Sequence, residues 1–222
     1  MYSQLTMSLR VEIRRKLRLY LHDGKDEHVA HALSVVEGKD LAAVHTSTGA
    51  LSMFSSVYPR SRFDFVTFVN AVHEISPKAL VSLLIDCVER LSRHGVLYIS
   101  DMERLPIEAL ELGAITWSRD DIDLLLQPLY RPAEINTSRW PHTKEYSWDA
   151  ILRRASLLAR PRDATDRMNA VVTNVLEDRL EIARTSLERL TISKPISQQE
   201  EENRRRLLYD YWAISRALNE RT

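Results

Sequence analysis

Two short stretches of the chain hold side chains able to handle a proton. One is Asn70-Ala71-Val72-His73-Glu74, the other Ser100-Asp101-Met102. An imidazole takes and releases a proton near neutral pH, and a carboxylate can orient it or act as a base itself. His73, Glu74 and Asp101 are therefore the candidate catalytic residues. The Asn70 amide can donate and accept hydrogen bonds to a ligand. The bland alternative is that Asn70 ends a strand and that His73 and Glu74 sit on a loop leading to Pro77. The single cysteine, Cys87, falls at helical spacing between Ile85 and Val88. It reads as a small core residue rather than a nucleophile, allows no intrachain disulfide and offers no metal-ligand spacing. A reducing compartment, the cytoplasm, fits this cysteine usage.

These groups need a frame, and the sequence around them suggests one. Phe63–Val69 reads F-D-F-V-T-F-V, nearly all apolar and rich in β-branched and aromatic residues, the pattern of a strand buried on both faces. Ser76-Pro77 opens a helix, with proline in its first turn. Leu80, Leu83, Leu84, Cys87, Val88 and Leu91 repeat at helical spacing as far as Ser92-Arg93-His94-Gly95. Gly95 is expected there as a left-handed helix end. Val96–Ser100 reads as a second buried strand, closed by Asp101. Strand, helix and strand with short joints predict a βαβ unit with adjacent parallel strands. Ligands of such sheets lie beyond the carboxyl ends of the strands. Asn70–Glu74 and Ser100–Met102 then face one crevice.

The flanks are mostly helical in pattern. In Met1–His22, Leu9, Ile13, Leu17 and Leu21 recur every four residues among arginines, which predicts an amphipathic basic helix. Glu12 and Asp23 argue against an organelle address. A second helix fits Glu27–Val36, a turn Glu37–Asp40, a brief strand Leu41–Val44, and a loop Thr46–Ser56. Ser118 and Asp121 have N-cap and N3 spacing for another helix. Ala133–Trp140 and Lys144–Leu152 read as an antiparallel hairpin around Pro141-His142-Thr143. Beyond Arg153 only helices are signalled, Ala164–Leu190 and Gln198–Asn219, broken at Ser193-Lys194-Pro195. Ser197 and Glu200 form a capping box, and Leu207, Leu208, Tyr211, Ile214 and Leu218 the apolar face of the last helix. Trp140, Trp148 and Trp212 are expected in a core or an interface.

The bulk numbers bound the function. The chain has 222 residues, 44% hydrophobic and 28% charged, with a formal net charge of +0. That suits a soluble globular fold and gives no electrostatic reason to expect nucleic acid or an anionic membrane as partner. No apolar run is long enough to span a bilayer. The expected division is an α/β domain over 1–155, helical over 1–40, followed by a helical extension over 156–222.

The blocks R-F-D-F-V-T-F-V-N-A-V-H-E-I at Arg62–Ile75 and R-L-S-R-H-G-V-L-Y-I-S-D at Arg90–Asp101 resemble the fourth and fifth strands of class I S-adenosylmethionine-dependent methyltransferases. The resemblance covers about Arg62–Leu152 and is carried by F-D-x-V, by the following Asn and His, and by the glycine and terminal Asp of the second block. It implies a partial Rossmann-like methyltransferase sheet with an antiparallel terminal hairpin. It also implies S-adenosylmethionine as cofactor, with Asn70, Ala71 and Val72 beside it. Asn70-Ala71-Val72-His73 departs from the Asn-Pro-Pro-Tyr-like motif of base-methylating members, which points to a small molecule or protein as acceptor. Upstream the departure is larger. Gly24, Gly38, Gly49, Gly95 and Gly113 are the five glycines, and no two have the spacing of a G-x-G-x-G loop. Such a loop needs glycine because backbone must approach the cofactor closely. The Leu41–Val44 strand ends in His45-Thr46-Ser47 instead of an acidic residue, and reads as a third strand without predecessors or a degenerate second one. The expectation is weak or absent cofactor binding by this chain alone. Its function is then that of an impaired methyltransferase-like protein, or of a non-catalytic protein binding a partner or a second copy of itself through its sheet edge and C-terminal helices.

Overall fold

The computed structural model describes residues 15–50, 54–57, 62–103, 105, 113–129, 147–157, 159–191 and 197–220. The chain divides into two units, Met1–Arg60 and Ser61–Thr222.

In the first unit, strand β1 (Arg18–Asp23) leads through helix α1 (Asp26–Val36) to strand β2 (Ala43–Thr48). The strands are parallel and pair from Arg18↔Ala43 to Asp23↔Thr48. Leu21, Val29 and Val36 are buried between sheet and helix. The expected basic helix over Met1–His22 is thus corrected from Arg18 onward; residues 1–14 lie outside the described set. The four-residue spacing of Leu17 and Leu21 serves a helix or a strand equally, because i and i+4 also share a strand face. Leu19 and Leu21 alternating with Tyr20 and His22 carry the period of two that prevails. β2 runs four residues past Val44, through β-branched Thr46 and Thr48, where a loop was expected, and Phe54–Val57 form a helical turn. A strand does therefore precede it, and the two make a βαβ unit.

The second unit holds strand β3 (Phe63–Val69), helix α2 (Pro77–Glu89), strand β4 (Leu91–Met102), helix α3 (Arg119–Leu126), strand β5 (Ser147–Arg153) and helices α4 (Thr165–Thr191) and α5 (Gln198–Asn219). Its sheet runs β3-β4-β5, parallel between the first pair and antiparallel between the second. This is an α/β fold with the parallel crossover and reversed last strand expected from the sequence. The earlier hairpin strand, Ala133–Trp140, lies outside the described residues. Val66, Phe68, Leu97, Ile99, Trp148, Ala150 and Leu152 bury one sheet face. α2 packs on β4, α4 packs on α2 and α3, and α5 pairs with α4. The C-terminal helices lie in the same unit as the sheet.

Three local expectations change. Among the described residues β3 lies at the edge of its sheet, and its second face is only partly covered, with Phe65 47% and Val69 38% exposed; an apolar run does not say how many layers will cover it. Gly95 is not left-handed. α2 ends at Glu89, and Leu91–Gly95 already belong to β4. The β3–β4 register jumps there, from Phe63↔Leu91 to Phe65↔Val96. A Cβ on Gly95 would lie 2.7 Å from the Phe63 carbonyl oxygen, so close backbone approach is what requires glycine. On α5, Ala213, Ile214 and Ala217 are buried while Leu208, Tyr211 and Trp212 are exposed. Trp212 lies under the Arg216 guanidinium, 5.8 Å from its ring centre, whereas Trp148 is a core residue as expected. Trp140 lies outside the described residues. No helix among the described residues is long and apolar enough to cross a membrane.

Candidate functional site

The site forms where β3 and β4 end side by side. The Asn70 N–H still donates to the Ser100 carbonyl (2.9 Å), the last rung of the parallel ladder. Asn70 then turns the chain with φ 51°, a left-handed value that asparagine tolerates better than most residues. A single 3₁₀ turn, Val72–Glu74, follows, anchored by the Val72 side chain in the core at 1% exposure. This turn brings His73 to Asp101, the penultimate residue of β4.

Asp101 is the hub. Its carboxylate accepts from the His73 backbone N–H (3.0 Å), from the Met102 backbone N–H (2.7 Å) and from the His73 ring at Nδ1 (2.6 Å). Asp101 is 2% and His73 7% exposed. An ionised carboxylate can only accept, so Nδ1 carries the ring proton and Nε2 holds the basic lone pair. A carboxylate holding imidazole in that tautomer is the base-and-orienter arrangement used to activate nucleophiles. Glu74 reaches toward Nε2, with Oε1 3.9 Å away and its side chain 42% exposed.

Of the candidate catalytic residues, the fold therefore joins His73 with Asp101 and sets Glu74 beside them. Asp101 is committed to holding the turn and the ring. Among the candidates for cofactor contact, Asn70 is exposed at the rim, Ala71 is half-buried, and Val72 has only its backbone to offer. A second polar pair had no signal in the sequence. The Tyr98 hydroxyl donates to Asp149 Oδ1 (2.6 Å), linking β4 to β5 diagonally on the sheet's other face. Burial, and then the hydrogen bond to that carboxylate, raise the Tyr98 pKa and keep the phenol protonated. No motif marks it because the partners are 51 residues apart.

The strand ends of the first unit are also polar but close upon themselves. The Asp23 carboxylate accepts from the Lys25 N–H (2.9 Å), and the Thr48 hydroxyl donates to Asp26 (2.5 Å). His22 Nε2 lies 3.2 Å from the Ala50 carbonyl, which can only accept. Nε2 is therefore protonated, and Nδ1 accepts from the Ser47 hydroxyl at 2.8 Å. The joint from β1 to α1 is the two-residue turn Gly24-Lys25, followed by Asp26 and Glu27 in the first helical turn. It contains no glycine-rich loop, and no acidic residue ends β2. No His, Cys, Asp and Glu cluster suited to a metal exists among the described residues.

No family model matches the sequence, and no curated protein does. Solved structures with partial likeness include the N-methyltransferase NodS from Bradyrhizobium japonicum WM9 in complex with S-adenosyl-l-homocysteine. It is 14% identical, with a TM-score of 0.45 over 61% of this chain and 66% of that one, just under two thirds of its length. Another is magnesium protoporphyrin IX methyltransferase from Synechocystis PCC 6803 with the same product bound, 13% identical, with a TM-score of 0.42 over 69% of this chain and 81% of that one. The M1A22 tRNA methyltransferase TrmK of B. subtilis is 12% identical, with a TM-score of 0.31 over 98% of this chain and 97% of that one. The α/β assignment rests on the strand pairing itself.

Proposed function

We propose that the chain is a methyltransferase-like protein of the cytoplasm, with His73 and Asp101 as its proton-handling pair and a small molecule or protein as acceptor. The observation that carries this reading is the buried His73–Asp101 pair at the carboxyl ends of two parallel strands. His73 Nε2 would take the proton that an acceptor hydroxyl or amine gives up, and Asp101 would stabilise the resulting imidazolium. The rim residue Asn70 would orient the acceptor or cofactor.

The residues that should cradle S-adenosylmethionine do not suit it. The turn after β1 is closed by Asp23 on its own backbone, and β2 ends in Ser47-Thr48. Losing two charge-assisted hydrogen bonds of about 1.5–3 kcal/mol each weakens binding roughly 10²–10⁴-fold. Calorimetric titration of the whole chain with S-adenosylmethionine should therefore give no saturation below millimolar concentration. A dissociation constant of about 1 µM or tighter would overturn the impaired-cofactor reading.

The exposed Phe65 and Val69 of edge strand β3, and Leu208, Tyr211 and Trp212 of α5, favour a second reading. In it the chain is a regulatory component that binds a protein partner or a second copy of itself and lacks catalysis. If a partner completes the site, Asn70→Ala with His73→Ala should abolish the activity of the complex without unfolding this chain. Retained activity would favour the non-catalytic role.

A further inference from the structure

Ahead of α3 stands Gly113, whose φ of 92° is a left-handed value that glycine adopts without strain. From there to Ser118, the N-cap of α3, the chain forms neither helix nor strand. Yet Ala114, Ile115 and Trp117 are buried, at 5%, 3% and 1% exposure. Backbone buried outside any ladder must find its partners singly. The Ile115 N–H donates to the His73 carbonyl (2.9 Å). The Ala114 carbonyl accepts from the Tyr209 hydroxyl on α5 (3.1 Å), and the Thr116 carbonyl from the Arg179 guanidinium on α4 (2.6 Å). The Trp117 carbonyl accepts from the Trp148 indole on β5 (2.7 Å). Arg179 also lies 3.8 Å from Asp121 at the start of α3.

We infer that Arg179 and Tyr209 are positioning residues for His73, acting through the strap Gly113–Ser118. The His73 residue is gripped at both backbone ends. Its N–H is held by Asp101 and its carbonyl by Ile115, so the strap and the carboxylate together fix the backbone from which the ring projects. Arg179 and Tyr209, on two helices and 106 and 136 residues beyond His73, thereby keep Nδ1 on Asp101. The inference rests on reading His73–Asp101 as the working pair, and it extends that site to the C-terminal helices.

The test is nuclear magnetic resonance on the full chain labelled with ¹⁵N-histidine, with the His73 Nδ1–H signal assigned by its loss in His73→Gln. Arg179→Met should speed exchange of that proton with water by about tenfold or more, through local opening of the strap. Tyr209→Phe should give a smaller rise in the same direction, and Arg179→Lys, which keeps a donor, should restore much of the protection. Cys87→Ala is the control, since it loosens the core without touching the strap. A merely structural role would make every variant exchange faster in proportion to its loss of global stability. Exchange that is unchanged in Arg179→Met, or faster only by that proportion, overturns the inference. If Arg179→Met does not fold, Tyr209→Phe decides by the same criterion, because it removes one oxygen and keeps the ring. The signal needs neither cofactor nor acceptor, so failure of the methyltransferase reading leaves this result interpretable. Conversely, an Asp101→Asn variant with an unaltered His73 signal would sink the pair itself.

Discussion

The two units repeat one device, two parallel strands joined by a helix, and treat the polar groups at the strand ends in opposite ways. In Met1–Arg60, Asp23 and Asp26 are satisfied by a nearby N–H and a hydroxyl while facing solvent. In Ser61–Thr222, Asp101 collects three donors out of contact with water. The hydrogen bonds are similar in length; the surroundings are not. A bond that water can replace contributes little net stability, whereas a buried donor left without its acceptor costs its full desolvation. Chemistry that depends on a held proton belongs in the second setting, because a fixed tautomer requires partners that do not exchange with water.

The comparison breaks most visibly at its two carboxylates. Asp101→Ala should lower the unfolding free energy by about 3–5 kcal/mol, since two buried donors and one half-buried donor lose their acceptor. Asp26→Ala should cost about 1 kcal/mol or less. Urea denaturation of the two variants measures both, and equal costs would dissolve the distinction between the strand ends. The glycines offer the next contrast. Gly95→Ala pushes a methyl against the Phe63 carbonyl and should cost about 1–3 kcal/mol. Gly24 has nothing within 4 Å of an added Cβ and no left-handed φ. Gly24→Ala should be neutral or stabilising by about 0.5 kcal/mol, and thermal melting of the pair ranks them. If Gly24→Ala were the more damaging, the β1–α1 turn would be more tightly built than its open surroundings show.

The smallest effect sharpens the contrast by reporting on one unit alone. Cys87, the sole thiol, is fully buried in the second unit, and desolvation pushes its pKa up to about 12 from 9.0. It should resist thiol reagents in the folded protein and react at once in urea. Because the folded value is raised, this group's contribution to stability is complete below pH 9 and is lost as the pH climbs toward 12. Cys87→Ala should flatten that alkaline decline. Tyr98 and Tyr209, both raised chiefly by burial, push in the same direction, so the difference between parent and variant isolates the thiol. Rapid labelling of the native protein would mean that the second unit opens easily near α2.

Much of the second unit was legible because its signals are local. Phe63–Val69 and Gln198–Asn219 fall where the apolar run and the capping box place them. The Ser118–Asp121 box is formed, and Pro77 opens α2. Residues within four positions of each other decide such features, and the chain cannot avoid them. β1 is not legible locally, because leucines four apart satisfy two periods and only pairing with β2 selects one. The constraint on Gly95, the Phe63 carbonyl, comes from another strand, so no local pattern separates it from a left-handed helix end. At the candidate site, the residue types and the shared crevice were readable from Asn70–Glu74 and Asp101. Which carboxylate holds the imidazole was not.

By itself, then, the sequence determined the elements of the second unit, their caps and the identity of the groups at the ends of its parallel strands. Those follow from periodicity, side-chain shape and hydrogen bonds closed within a few residues. Only the tertiary structure decided that Asp101, 28 residues from His73, orients the ring while Glu74 next to it stays 3.9 Å away. Only it set Ile115 on the His73 carbonyl, and left Phe65 and Val69 exposed. Contacts between distant residues depend on strand register and on which layers cover a face, and neither is encoded in any short stretch of chain.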